Sequence, residues 1–297
     1  MNYIIKLLRL LLQIPIYTLN NISVLYSRIL IFIDPNGSEC LLEEIYQKQI
    51  NSKINSNLNI TNLINYNPKL LNIKKNIDFY TPTKITSFRA KTIYSKEPET
   101  IMWIDKFGGK NKILFDVGAN IGVYSLYYAK LYASNAKNVY SFEAQENNIS
   151  LLKRNTILNK SNNQIVTLPF ALFNKNEINY LIYSQENKYG VAATSFGKKS
   201  IFAREKTYKN LTISFSIDFL VNNFIVPKPS LIKIDVDGNE LDIVLGAIKT
   251  INSKKCDSIL IEKGKDIDQI HRLLSKKFKI YFDGISNRIY IKKSLIK

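Results

Sequence analysis

At 297 residues and 45% apolar content, the chain is long enough for one large domain, or a domain with an appendage, around a packed core. Its 42 Lys and Arg against 24 Asp and Glu leave a formal charge of +18, but the excess is mostly lysine, spread singly among Asn and Ile. That texture argues against base-specific reading of nucleic acid, which favours clustered Arg, and leaves compositional bias or an anionic surface or substrate as its source.

Two cysteines, Cys40 and Cys256, stand far apart with no CxxC and no histidine partners. A disulfide framework and a thiolate zinc site are therefore excluded, and a reducing cytoplasm is expected. Tyr3 to Tyr17 is apolar but interrupted by Lys6, Arg9, Gln13 and Pro15, short of the roughly 20 clean residues of a membrane span. Tyr17-Thr18-Leu19-Asn20 offers no cleavage site for a signal peptide. The leader reads as an amphipathic helix that either docks on its own protein or makes a peripheral membrane contact.

Residues 1–80 read as a helical and irregular N-terminal extension, with a turn-favouring, Asn-rich stretch from Asn51 to Asn67. Residues 81–297 form the catalytic domain, whose texture from about Ile85 is that of parallel βαβ units. A short helical stretch, Ile101–Phe107, comes first. Strands are expected at Ile113–Val117, Val139–Glu143 and Ile165–Ala171, with helices at Ile121–Ala133 and Asn147–Leu158 between them. Strand character returns at Ile178–Tyr183 and Leu211–Ser216, around a lid or substrate loop at Tyr189–Lys199. Strand Leu231–Val236, helix Glu240–Ile251, strand Ser258–Glu262 and helix Ile267–Lys276 follow. A terminal hairpin, Lys279–Phe282 with Arg288–Ile291, turns at Asp283-Gly284. The fold class is α/β: a mostly parallel Rossmann-like sheet with an antiparallel hairpin at its end.

In such a sheet, ligands bind outside the carboxyl ends of the strands, where the strand order reverses. The turn there is Asp116-Val117-Gly118-Ala119-Asn120-Ile121-Gly122. Its glycines allow close backbone approach, but Asn120 stands where a dinucleotide GxGxxG needs its middle glycine, and no GxxxxGK[ST] occurs in the chain. Glu143, ending the second strand, is placed to accept both hydroxyls of a ribose. We therefore expect Asp116, Gly118, Asn120, Gly122, Glu143, Ala171 and Asp235 to bind a cofactor.

The fourth strand ends in Lys233-Ile234-Asp235-Val236-Asp237-Gly238-Asn239-Glu240, which crowds three carboxylates at the crevice. Like charges this close raise one another's pKa, as a general base requires, or are neutralised by a cation; alternatively, Asp237 and Glu240 cap the next helix. Asp235, Asp237 and Glu262 are the candidate catalytic acids, and Glu97 or Thr100 is expected to line the site from Lys96-Glu97-Pro98-Glu99-Thr100. No metal is expected, since Lys263 puts a positive charge directly after Glu262. His271 reads as an interfacial helix residue and Cys256 as core packing.

Over roughly residues 85 to 275 the chain resembles the FkbM family of methyltransferases. The likeness rests on Lys96–Thr100, Asp116–Gly122 with Tyr124-Ser125, Phe142-Glu143, Asn155, Asn159, Ala171-Leu172, Ser216-Ile217-Asp218, Lys233–Glu240, Gly246-Ala247 and Ile261-Glu262. Many members write Glu where Asp237 stands. The resemblance implies S-adenosylmethionine as cofactor and O-methylation of a hydroxyl on a sugar, glycan or related small molecule. A nucleic-acid methyltransferase is disfavoured because the [DNS]PP[FYW] turn of amino-methylating enzymes is absent. A nicotinamide dehydrogenase is disfavoured by Asn120, and a non-catalytic binding protein of this fold by the intact acidic cluster.

Overall fold

Leu114–Val117 (β3) and Leu231–Ile234 (β10) are buried at every position, as parallel strands covered on both faces must be. In the computed structural model, which describes residues 69–73, 76–132, 136–183, 189–192, 194–197 and 208–296, these two strands lie side by side at the centre of a seven-stranded sheet. Outward from β3 come β4 (Val139–Phe142) and β5 (Ile165–Leu168), all parallel. On the other side β11 (Ser258–Glu262) pairs in parallel with β10. There β13 (Asn287–Lys292) inserts antiparallel between β11 and the edge strand β12 (Phe278–Asp283). This is the expected Rossmann-like sheet with its terminal hairpin. The strand order reverses between β3 and β10, so the crevice opens at their carboxyl ends.

Helices α2 (Pro98–Phe107) and α3 (Val123–Leu131) cover one face with Trp103, Ile104, Leu126 and Tyr128. The other face carries α5 (Ile217–Asn222), α6 (Glu240–Leu245), α7 (Ile248–Ile251) and α8 (Ile267–Leu274). Pro98 occupies the first turn of α2, where its missing N–H costs nothing. The expected helix Glu240–Ile251 is two helices. A Cβ on Gly246 would lie 2.2 Å from the Phe173 carbonyl oxygen, so the chain bends there. Asp218 then caps the second piece by accepting from the Lys249 and Thr250 N–H groups.

Three further departures have local causes. The helix expected from Ile121 begins at Val123, because Asn120 and Gly122 sit at positive φ of 50° and 87°. The expected strand Ile165–Ala171 breaks at Pro169-Phe170 into β5 and the two-residue β6 (Ala171–Leu172), which joins a second sheet ordered β6-β9-β7-β8. In that sheet β7 (Glu177–Tyr183) and β9 (Tyr208–Phe215) are antiparallel. The expected loop Tyr189–Lys199 contains strand β8 (Thr194–Phe196) on β7; its end at Lys198-Lys199 lies outside the described residues.

Strands β1 (Lys69–Ile73) and β2 (Ile77–Thr81) form an antiparallel hairpin, all but Thr81 of it within the 1–80 stretch read as a helical and irregular extension, and belong to a compact unit spanning Tyr66–Lys297. After the hairpin comes α1 (Lys84–Lys91), started by a Thr83 capping box. Strand β2 is fastened to α4 (Glu146–Leu158) by two asparagines: Asn155 Oδ1 accepts from Tyr80 N–H and Asn159 Oδ1 from Asp78 N–H. The amphipathic leader, Cys40 and the Asn51–Asn67 stretch lie outside the described residues.

Candidate active site

A cleft enclosing about 110 Å³ opens at the reversal point, lined among others by Gly118, Asn120, Glu143, Ala171, Asp235 and Asp237. A smaller compartment of about 40 Å³ adjoins it, lined also by Glu97, Tyr124 and Lys233; Arg89, Lys96, Gly118, Asn120 and Asp235 border both. Six expected site residues thus share one cleft.

Gly118 (φ 78°) is the point of closest approach between the two central strands. A Cβ there would lie 1.8 Å from the Asp235 carbonyl oxygen, so the position accepts no other residue without movement of β10. Asn120 joins three parts of the wall. Its N–H donates to Glu143 Oε2 at 2.8 Å, its Oδ1 accepts from Ile121 N–H, and its Nδ2 donates to the Val191 carbonyl at 3.1 Å. Asn148 also donates to Val191 and accepts from Gly190 N–H, while Arg89 Nε donates to the Gly190 carbonyl at 2.7 Å. The segment at 189–192 is in this way strapped across the cleft by side chains from α1, α4 and the turn.

Glu143 is buried, and burial pushes its carboxyl up to about 7 against hydrogen bonds from the Gln145 and Asn120 N–H groups. Each oxygen keeps acceptor capacity toward the cleft, the chemistry a ribose diol needs.

Two expected cofactor residues are placed differently. Asp116 is fully buried and absent from the walls of both compartments; its Oδ2 accepts from Ser125 Oγ at 2.5 Å, and Ser125 contacts Ser141 Oγ at 2.7 Å. Burial raises the Asp116 carboxyl. It supports the turn from beneath. Gly122 makes room for α4, since a Cβ would meet Leu152 Cδ1 at 2.3 Å.

The acids of the fourth strand divide their roles. Glu240 Oε1 accepts from the Val236 and Gly238 N–H groups and closes its own loop, in which Asp237 (φ 57°) and Gly238 (φ 119°) are left-handed. Asp235 keeps about 24% of its side chain open, and its Oδ2 accepts from Lys233 Nζ at 2.7 Å. Burial alone would raise the Asp235 carboxyl, but Lys233 and a hydrogen bond from Glu262 hold it below the ordinary range. Glu262 is pushed up to about 9 by burial and by Asp235 and Asp237, and so keeps its proton at neutral pH. Elevation, expected from burial and like charges, falls on Glu262 and Glu240 but not on Asp235, because an ammonium stands beside Asp235. Glu262 thus stands as a hydrogen-bond donor toward Asp235.

That ammonium is the functional group the sequence reading left without a role. Lys233 is 1% exposed, 3.8 Å from Asp116 Oδ1, and 5.2 Å from the centre of the Tyr124 ring. Burial would lower its pKa; Asp235, Asp116 and Glu97 outweigh this and raise it. A lysine inside the otherwise apolar Leu231–Ile234 was the available signal, since lysine is almost never buried unpaired. Lys263, by contrast, turns away to Asp283 at 3.0 Å and the Gly284 carbonyl, so its charge does not act on the cluster. Among the described residues no three of His, Cys, Asp and Glu group closely enough to hold a metal ion.

Glu97 reaches the cleft and Thr100 does not. Although Glu97 precedes α2, its carboxylate makes no cap; it accepts from Tyr124 OH at 3.1 Å and Lys96 Nζ at 2.5 Å. His271 stacks on Tyr290 with ring centres 6.0 Å apart, and Cys256 is buried with its thiol pushed up to about 12. Both are packing residues.

Residues 116–280, more than half of the chain, match the model of the methyltransferase FkbM domain. The chain belongs to the FkbM methyltransferase family. Its methyl donor is S-adenosylmethionine, for which the Glu143 carboxylate and the open Gly118 turn provide a fitting cleft. The chain is 26% identical over 182 residues to hexuronic acid methyltransferase AglP of Haloferax volcanii, covering 61% of this chain and 68% of that protein. Among solved structures it is similar to methyltransferase FkbM from Methylobacillus flagellatus KT, with TM-score 0.44 and 18% identity; the match covers 62% of this chain and 44% of that one. It is also similar to TrmK of M. capricolum in complex with S-adenosyl-homocysteine, with TM-score 0.37 and 8% identity over 65% and 66% of the two chains.

Proposed function

We propose that this FkbM-family enzyme methylates a hydroxyl oxygen of a sugar or related small acceptor in the cytoplasm, with Asp235 as the group that orients the hydroxyl and takes its proton. The observation that carries the reading is Asp235 itself: ionised, partly open, and standing at the junction of the two compartments. The name of the H. volcanii relative supports a sugar acceptor.

When bound, S-adenosylmethionine supplies a methyl group made electrophilic by its sulfonium. Glu143 is assigned to the ribose, Gly118 and Asn120 to the turn beneath the cofactor, and Ala171 to the cleft wall. Asp235 has a depressed pKa and is a weak base toward a free alcohol. A hydroxyl becomes strongly acidic once its oxygen begins to bond to carbon, however, so a weak carboxylate in hydrogen-bond contact suffices for a proton transferred late. Lys233 and protonated Glu262 fix that carboxylate's rotamer, and orientation of this kind contributes to the rate. Asp237 borders the acceptor side of the same cleft. A metal-free site follows in this reading, because Lys233 already balances the Asp235 charge.

Calorimetry tests the cofactor half. S-adenosylhomocysteine should bind the purified chain and NADH should not, and Glu143→Ala should weaken that binding by about 1.5–3 kcal/mol, the usual loss for hydrogen bonds to a charged group. Unchanged affinity in Glu143→Ala would move the ribose elsewhere.

The pairing of Glu262 with Asp235 has its own signature. An acid whose pKa rises from 4.5 to about 9 on folding binds more protons in the folded state between those values, so it stabilises less as pH climbs. Glu262→Gln, neutral at every pH, should gain stability relative to the unsubstituted chain from about pH 4.5 to 9. Urea unfolding across that window measures it, and a pH-independent difference would mean that Glu262 is ionised in the fold.

A further inference from the structure

The second sheet has two faces with different fates. On one, Leu181 of β7 and Phe196 of β8 line the cleft. On the other, Ile178 and Tyr180 of β7 stand directly opposite Ile213 and Leu211 of β9. These four side chains are 70%, 46%, 43% and 67% exposed. Exposed apolar residues scattered singly are ordinary, but four paired across neighbouring strands form a contiguous patch, which marks an interaction surface.

Among the described residues of β7 and β9, the charge on this face has one sign. Next along the same face comes Lys209, opposite Ile182, with its Nζ 5.8 Å from the centre of the Tyr180 ring. Lys175 is exposed in the turn before β7. Glu177 is two residues from Asn179 and bonded to its amide, on the alternate face. A second copy of the chain would bring matching apolar surface to this patch, but also another +18 of formal charge. An anionic lipid surface takes the same apolar side chains and is drawn by the same charge.

We propose that this face rests on an anionic membrane surface, with Ile178, Tyr180, Leu211 and Ile213 entering the headgroup boundary and Lys175 and Lys209 meeting lipid phosphates. The sheet that walls the cleft would then lie between the cleft and the bilayer. The inference does not depend on which acceptor the enzyme methylates.

The test uses the full chain and sedimentation with vesicles of phosphatidylcholine, with or without phosphatidylglycerol. The chain should pellet with the anionic vesicles and stay in solution with the neutral ones. The double variant Ile178→Ser, Leu211→Ser should reduce the partition coefficient at least about tenfold, as expected for removing two apolar side chains from the boundary. Its affinity for S-adenosylhomocysteine should be unchanged, showing that it is folded. Three results would overturn the proposal: no binding to anionic vesicles by the full chain; binding that the double variant retains, as a contact made by the Tyr3–Tyr17 leader would give; or a lipid-free dimer, seen by ultracentrifugation, that the double variant dissociates.

Discussion

Asp235→Asn should lower the methyl-transfer rate by about 10²–10⁴, the usual contribution of a positioned proton acceptor, while leaving affinity for S-adenosylhomocysteine within a few-fold of the original. Asparagine keeps the size of the side chain and one oxygen for Lys233 Nζ, now 2.7 Å from Asp235 Oδ2, but it cannot accept the hydroxyl's proton at neutral pH. The measurement is single-turnover transfer to a sugar acceptor, with calorimetry of the product complex beside it. The same transfer should survive EDTA. Full activity in the variant would remove Asp235 from the chemistry, and activity that vanished with EDTA and returned with Mg²⁺ would replace the metal-free reading.

The second large effect is on the fold. Lys233→Met keeps most of the buried volume but deletes the cation between Asp235, which is partly open to the cleft, and Asp116, which is fully buried in the centre of the sheet. Removing one partner of a buried ion pair leaves an uncompensated charge and typically costs about 3–5 kcal/mol. Denaturant unfolding should show a loss of that order at pH 7. The loss should shrink toward acid pH, where the stranded carboxylates take up protons. A loss under about 1 kcal/mol that did not vary with pH would show that water, not Lys233, balances these acids.

The central sheet was readable because β3, β10 and β11 are short, largely apolar runs interrupted inside only by Asp116 and Lys233, and Glu143 was readable because an acid at the end of the second strand follows the turn at a fixed distance. Asp116 and Gly122 belong to the same motif, yet one braces the turn through Ser125 and the other admits Leu152. A motif records which residues are needed and is silent on whether the need is a ligand or a neighbour. The division of the acids was hidden for another reason. Asp235 and Glu262 come from adjacent strands far apart in sequence, and only their meeting beside Lys233 sends one pKa down and the other up. The lid expected at Tyr189–Lys199 was legible as a segment, but the way 189–192 is held was not, because asparagine and arginine side chains with no periodic pattern hold it.

Asn120 concentrates several of these dependencies in one residue. Its backbone conformation shapes the turn, its N–H orients Glu143, and its amide holds Val191 of the strap. A substitution there would alter cofactor affinity and cleft cover together, so neither property can drift alone through this position. Asn148 bonds the strap but not Glu143, whereas Arg89 bonds the strap's backbone and its charge also acts on the Glu143 carboxyl. Divergence in how the cleft is covered, and with it in which acceptors are admitted, has a route through Asn148 that leaves the hydrogen bonds to Glu143 in place.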